Sequence, residues 1–212
     1  NQRKLLCDAE IKALQAQINP HFLFNAINTI ISYTRTNPET ASDLLVKLAE
    51  FFRKNINPGN ENVPLSTELE HCKAYIAIEM ARFEDRVKVN YDIDKETLNC
   101  ELPPLILQPL VENALKHGIL PREEGGEITI GANRENGSVK VFVKDNGIGM
   151  TKDQIESLFS GKMKSYSQNG SGIALRNVNA RLTTIYGANH SLSVESELNK
   201  GTTVSFTIPI RL

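Results

Sequence analysis

Through the first quarter of the chain, apolar residues recur at helical spacing. Leu14, Ile18, Phe22, Ala26 and Ile30 fall four apart and predict one apolar stripe along a helix. Pro20 lies inside that stripe, where its missing N–H frees the carbonyl of Ala16 and kinks the helix. Asn37-Pro38-Glu39 then supplies an N-cap, a proline at the first helical position and an acid in the first turn. The second helix carries Leu44, Leu45, Leu48, Phe52 and Ile56 and stops at Asn57-Pro58-Gly59-Asn60. A lone hairpin of this size buries too little surface to be stable. Residues 1–57 are therefore expected to pair with a second copy as a four-helix bundle, in a homodimer.

After Val63 the pattern changes. Thr67 with Glu70 predicts a capping box for a helix whose apolar face runs Leu69, Cys72, Ile76, Met80 and Phe83. Residues 87–93 alternate like a half-buried strand. A helix is expected from about Pro104 to His117, closed by Gly118. Glu127 to Asp145 reads as two strands around the turn Glu135-Asn136-Gly137. A helix over about 173–186 and strands near 191–196 and 202–210 complete the order. The fold class is α+β: a helical hairpin, then a sandwich with helices on one face of a mixed, mostly antiparallel sheet. The boundary is placed at 58–62, with a second domain over 62–212.

Composition narrows the function classes. The 212 residues carry 24 Lys+Arg against 25 Asp+Glu, a formal net charge of −1, which argues against a dedicated nucleic-acid binder. Hydrophobic residues at 40% and charged residues at 23% describe an ordinary globular chain. The longest nearly apolar run, Pro103 to Val111, falls far short of the roughly 20 residues that span a bilayer. Cys7, Cys72 and Cys100 form neither a disulfide framework nor a zinc spacing, which fits a reducing setting. The chain opens on Asn1 rather than Met and is expected to be part of something longer.

No Walker-type phosphate loop and no complete dinucleotide fingerprint is present. Three other pieces are. The first is Leu110-Val111-Glu112-Asn113-Ala114-Leu115-Lys116-His117-Gly118. The second is Asp145-Asn146-Gly147-Ile148-Gly149-Met150, and the third is Gly170-Ser171-Gly172-Ile173-Ala174-Leu175 at the start of a helix. Each has a plain reading alone: a solvated helix face, a turn after a strand, a flexible loop. Together, in this order, they resemble the N, G1 and G2 boxes of the GHKL (Bergerat) ATP-binding fold of histidine kinases, gyrase-type topoisomerases, chaperone ATPases and mismatch-repair ATPases. Residue chemistry agrees. Asn113 offers the hard neutral oxygen that Mg²⁺ accepts. Asp145 can accept from an adenine amino group, and Gly147 and Gly149 allow close backbone approach to a flat base. Gly170 and Gly172 leave N–H groups free at a helix start, where anions are stabilised. Ser160 to Asn169 has the length and polarity of a lid, with Lys162 and Lys164 in reach of a triphosphate. The resemblance adds Lys116, His117, Ile173, Ala174, Leu175 and Thr202 to the nucleotide site. Ala174 departs from the glycine more usual there.

ATP-hydrolysing members carry a Glu four residues before the magnesium Asn. Here that position is Pro109, which cannot abstract a proton from water. A protein side chain is then the better nucleophile, and the chain supplies Asn19-Pro20-His21-Phe22-Leu23-Phe24-Asn25. This string resembles the phosphoacceptor motif of LytS-type sensor histidine kinases. Tyr75-Ile76-Ala77-Ile78-Glu79, Arg82-Phe83, Leu107-Gln108-Pro109, Asn177-Val178 with Arg181-Leu182, and Gly201-Thr202-Thr203-Val204 extend the likeness over almost the whole chain. It implies His21 as phosphoacceptor, ATP with Mg²⁺ at Asn113, a response-regulator receiver domain as partner, and a membrane-anchored parent with an N-terminal sensor and this portion on the cytoplasmic side. Asn25, one turn from His21, shares its helix face and is placed to orient the imidazole or a water. His71 and His190 read as surface residues. Two other functions stay open beside the kinase: an ATPase clamp and a non-catalytic ATP-binding scaffold.

Overall fold

The computed structural model describes residues 20–56, 61–83, 86–135, 137–160 and 171–209. Leu14, Ile18, the carbonyl of Ala16 and the 57–60 breaker lie outside them, as do Lys162, Lys164 and Gly170. Contacts group the described residues into two compact units.

The first unit begins with helices α1 (Pro20–Thr36) and α2 (Pro38–Ile56), joined by the single residue Asn37. Asn37 caps α2 as expected: its side-chain oxygen accepts from the Thr40 N–H at 3.1 Å. Phe22, Ala26 and Ile30 form the buried stripe of α1. On α2 the buried stripe is rotated from the expected one. Ala41, Leu44, Leu48 and Phe51 are buried, whereas Leu45 is 52% exposed. The reason is a third helix.

Helix α3 (Leu65–Phe83) follows the two-residue strand β1 (Val63–Pro64), and from Glu70 onward it belongs with the hairpin. It brings Tyr75 within 5.1 Å of the Phe22 ring and His71 flat against Phe51, with centroids 4.9 Å apart and planes 2° from parallel. Turning Phe51 rather than Phe52 inward answers that partner. His71 is therefore not a surface residue: it is buried, and its Nε2 lies 3.2 Å from the Asn55 amide. The hairpin core is covered within one chain, and the division is not a single cut after residue 57.

The start of α3 also differs from the capping-box reading. The helix opens at Leu65, two residues before Thr67, because the turn at 98–100 caps it with backbone. Leu65 N–H donates to the Cys100 carbonyl at 2.8 Å, and Ser66 N–H to that of Leu98 at 3.0 Å. Glu70 pairs instead with Lys73.

The second unit holds β1, the first turn of α3 and everything from β2 (Val87–Ile93) onward. After β3 (Glu101–Leu102) and α4 (Leu107–Asn113) come the hairpin strands β4 (Gly126–Glu135) and β5 (Ser138–Asp145). Helices α5 (Lys152–Ser160) and α6 (Ser171–Tyr186) and strands β6 (Ser193–Glu197) and β7 (Gly201–Pro209) follow. The main sheet runs β2-β4-β5-β7-β6, parallel at β2·β4 and antiparallel elsewhere, while β1 pairs with β3. Its core face is drawn by alternation: Ile130 on β4, Val143 on β5 and Val204 on β7 stand in one row, and Ala132, Val141 and Phe206 in the next. Helix α5 was not foreseen. Its signal is Thr151-x-x-Gln154, a reciprocal capping box whose two bonds measure 2.8 and 3.3 Å.

The expected 104–117 helix is shorter and irregular. Regular α-helix covers only Leu107–Asn113, and Ala114–Ile119 continues it as a π-helical turn that carries Gly118 inside rather than as a stop. Leu105 takes a positive φ of 57° just before it.

Candidate functional site

The next row of the sheet's core face is different in kind. Register aligns Ile128 on β4 with Asp145 on β5, Thr202 on β7 and Ser196 on β6. Alternation along Val139, Val141 and Val143 thus delivers a carboxylate to a slot where an apolar side chain would pack. Asp145 is 4% exposed. Burial pushes its carboxyl up to about 6, against the pull of the Gly147 and Thr202 N–H groups that donate to it. The Gly147 bond measures 2.9 Å.

Glycines let this corner close. An ideal Cβ on Gly118 would stand 2.6 Å from Asp145 Oδ1, and one on Gly147 would stand 2.2 Å from the Gly118 carbonyl. Gly149 and Gly201 adopt positive φ, at 65° and 108°. The Ile148 N–H donates to the Gly118 carbonyl at 3.0 Å, tying the 145–149 loop to the π-turn. Asp145, Gly147, Gly149 and Thr202 are therefore brought together, and the end of the Asn113–Ile119 segment is pinned beside them. Gly118, Gly201 and Ser196 join the site unforeseen. Each signal was present only as a residue type: backbone crossing backbone is not visible in a sequence.

On α4 and its π-turn, Gln108 donates to Glu112 Oε1 at 2.6 Å, and Lys116 donates to Glu112 Oε2 at 3.0 Å. Asn113 is half-buried, and its side chain makes no capping hydrogen bond. Burial, with Lys116 beside it, holds His117 below the usual imidazole range. Among the described residues no group of three or more His, Cys, Asp or Glu is placed to hold a metal ion. The donor set fits Mg²⁺ only in one manner: a single amide oxygen from Asn113, with phosphate and water oxygens completing the shell.

The start of α4 is held by a residue from another helix, which no local sequence pattern marks. Glu68, buried on the first turn of α3, accepts from the N–H groups of Leu105, Ile106 and Leu107 at 2.8, 2.9 and 3.0 Å. This carboxylate caps a helix N-terminus from another helix, and burial raises its pKa despite those bonds and the charge of Arg181.

Of the third motif, an ideal Cβ on Gly172 would stand 3.9 Å from Leu158 Cδ2, in ordinary contact among the described residues; Ile173 is 52% exposed and Ala174 half-buried. Leu175 is buried in the core and offers no side-chain surface to a ligand. His190 is half-buried, with Nδ1 2.7 Å from the Thr207 carbonyl.

His21 belongs to the other unit. It lies exposed on the first turn of α1, and the Asn25 amide nitrogen stands 3.2 Å from its Nδ1 and 3.3 Å from its Nε2.

Comparison with known proteins agrees with both units. Residues 9–87 match the histidine kinase family, and residues 103–212 match the histidine kinase-, DNA gyrase B-, and HSP90-like ATPase family. The chain is 46% identical over 209 residues to the sensor protein LytS of Bacillus cereus, 44% over 211 to that of Bacillus subtilis, and 40% over 210 to the sensor histidine kinase/phosphatase LytS of Staphylococcus aureus. These alignments cover 98–99% of this chain but 35% of each relative, so the chain spans about a third of their length. Among solved structures, the catalytic domain of histidine kinase ThkA matches at 19% identity and a TM-score of 0.54, covering 70% of this chain and 93% of that one. The histidine kinase domain of the Erythrobacter litoralis EL346 blue-light activated kinase matches at 18% identity and 0.50, covering 99% and 95%. At such identities these two show the fold. The chain belongs to the histidine kinase-, DNA gyrase B-, and HSP90-like ATPase family, and over almost its whole length it is similar to the LytS-type sensor histidine kinases.

Proposed function

We propose that the chain is the kinase core of a two-component sensor, in which ATP bound in the second unit phosphorylates His21. A His21 ring nitrogen attacks the γ-phosphorus. The P–N bond forms as the bond to the β–γ bridging oxygen breaks, ADP leaves with that electron pair, and the ring N–H proton passes to solvent. Asn25 orients the imidazole, and Asp145 with Gly147, Gly149 and Thr202 receives the adenine. Lys116, fixed by Glu112, and His117 serve the phosphate side, and the third sequence motif assigns Lys162, Gly170 and Gly172 to it as well. When bound, Mg²⁺ neutralises phosphate charge, and Asn113 is the residue that would hold it.

The observation that supports this reading best is the buried Asp145 carboxylate on the core face of the sheet, an acceptor with no ion pair among the described residues. Pro109, in place of a hydrolytic base, favours transfer to a side chain over transfer to water. Onward transfer to an aspartate of a receiver domain follows from the same reading. So does a homodimer: Phe24, Ile31, Leu45 and Val46 are 68, 59, 52 and 56% exposed on α1 and α2, an apolar surface suited to a second copy. Among the described residues no helix is long and apolar enough to cross a membrane. We assign the chain to the cytoplasmic side of a membrane-anchored parent.

The test is incubation with γ-labelled ATP. Acid-labile, alkali-stable label on the protein, lost in His21→Gln and in Asn113→Asp, is the expected result. Free phosphate without labelled protein makes the chain an ATPase clamp, and ATP binding with neither outcome makes it a scaffold.

A further inference from the structure

The polar row of the sheet contains a hydrogen-bond assignment that can be solved by elimination. Among the described residues Ser196 Oγ has three polar neighbours: the Met150 N–H at 2.8 Å, the Gly201 carbonyl at 2.9 Å and Thr202 Oγ1 at 2.8 Å. A hydroxyl has one proton to give and two lone pairs to accept with. The Met150 N–H can only donate, and the Gly201 carbonyl can only accept. If the Ser196 proton turned toward Thr202, the Ser196 and Gly201 oxygens would face each other at 2.9 Å with no proton between them. The Ser196 proton therefore lies on Gly201, and its remaining lone pair takes the proton of Thr202.

That arrangement fixes the polarity of Thr202. With its own proton turned to Ser196, the Thr202 oxygen presents lone pairs only to whatever stands on its other side. Thr202 is buried and directly opposite Asp145 across β5·β7, and its backbone N–H already donates to the Asp145 carboxylate. With Asp145 ionised, neither side chain of this pair has a proton to offer.

We propose that Ser196 is a specificity-determining positioning residue: by taking the Thr202 proton, it makes the Asp145–Thr202 edge an acceptor-only surface that selects a 6-amino purine over a 6-oxo purine. This rests on reading the second unit as the ATP site. An amino group, met directly or through one water, finds only acceptors. A 6-oxo group there meets like charge. Removing Ser196 frees the Thr202 hydroxyl to rotate and donate, and the edge then tolerates either base.

The experiment is displacement of a fluorescent ADP analogue from the 212-residue chain by ATP and by inosine triphosphate, which differ at the 6-substituent and N1. In Ser196→Ala the preference for ATP is expected to fall roughly tenfold, mainly because inosine triphosphate binds more tightly. Ser196→Thr, which keeps the hydroxyl, restores the parent ratio. In a Thr202→Val background Ser196→Ala leaves the ratio where Thr202→Val put it. Thr202→Val alone weakens ATP and spares inosine triphosphate, and this holds as a test even where Ser196→Ala does not fold. Equal loss of both nucleotides in Ser196→Ala, or a Thr202→Val that weakens inosine triphosphate more than ATP, overturns the inference. A parent chain that binds neither nucleotide sinks the ATP-site reading and this inference with it. Parent binding with unchanged ratios in every variant sinks the inference alone.

Discussion

The two places where chemistry is expected are built in opposite ways. Around His21 the contacts of the described residues are local: an exposed side chain, a partner one helical turn away, and a buried stripe of Phe22, Ala26 and Ile30 on the same helix. Around Asp145 almost nothing is local. Its carboxylate is held by Gly147 and Thr202, hemmed by Gly118, and aligned with Ser196, so residues from the π-turn, β5, β6 and β7 converge on one buried oxygen pair. A local site can change one residue at a time, whereas a convergent one transmits any backbone shift to its functional group.

The largest effect expected from this contrast is at Gly147. Its added Cβ would overlap the Gly118 backbone, which cannot swing aside as a side chain would. Gly147→Ala should weaken ATP by about 100-fold or more, equivalent to about 3 kcal/mol. Asn25→Ala, confined to its own helix turn, should leave ATP affinity unchanged. Isothermal titration of both variants decides it, and comparable losses in the two would dissolve the distinction between local and convergent sites.

A stability effect of about 3 kcal/mol or less is expected at Glu68. Glu68→Ala leaves two buried N–H groups and one half-buried one at the start of α4 without their acceptor, at about 1–3 kcal/mol for an orphaned buried donor, part of it recovered as water enters. Glu68→Gln keeps one acceptor oxygen and should lose less. Urea unfolding followed with a probe in the second unit measures both. A loss below about 0.5 kcal/mol in Glu68→Ala would show that α4 needs no cap from outside.

The smallest effect carries the most informative sign. Asp145 titrates at about 6 when folded, against 3.8 for a free aspartate carboxyl. Between those values the folded chain binds a proton that the unfolded chain does not, so stability rises as pH falls through 6 and levels off below 4. The full span corresponds to at most about 3 kcal/mol. ATP affinity should move the other way, falling below pH 6 as the acceptor is lost. Asp145→Asn should therefore melt at or above the parent at pH 8, with the gap closing toward pH 5. A parent whose stability contribution from this residue vanishes at high and low pH alike would mean the carboxylate is not desolvated.

Much of this was legible in the chain. The stripe of α1, the Asn37 cap, the β4–β5 hairpin with Gly137 at φ 80° and the strand alternation all rest on neighbours within a few residues. What failed to show was set by partners far away in sequence. His71 reads as an exposed polar position, yet Phe51 and Asn55 bury it. Thr67 and Glu70 fit a capping box, yet the carbonyls of Leu98 and Cys100 were closer at hand for the helix start. Helix α5 was readable from Thr151 and Gln154 and passed unnoticed.

From its sequence alone this protein has its periodicities, its turns, and the residue types its chemistry needs: an imidazole after a proline, an amide on a helix, a carboxylate at the end of a strand. Those are properties of short stretches, governed by backbone sterics and by the spacing of apolar side chains. Only the tertiary structure decided that Asp145 is buried and raised, that Glu68 caps a helix it does not belong to, and that the proton of Thr202 points at Ser196. The reason is physical. Burial and hydrogen-bond direction depend on which groups meet across strands and turns, and those distances are fixed by packing rather than by position along the chain.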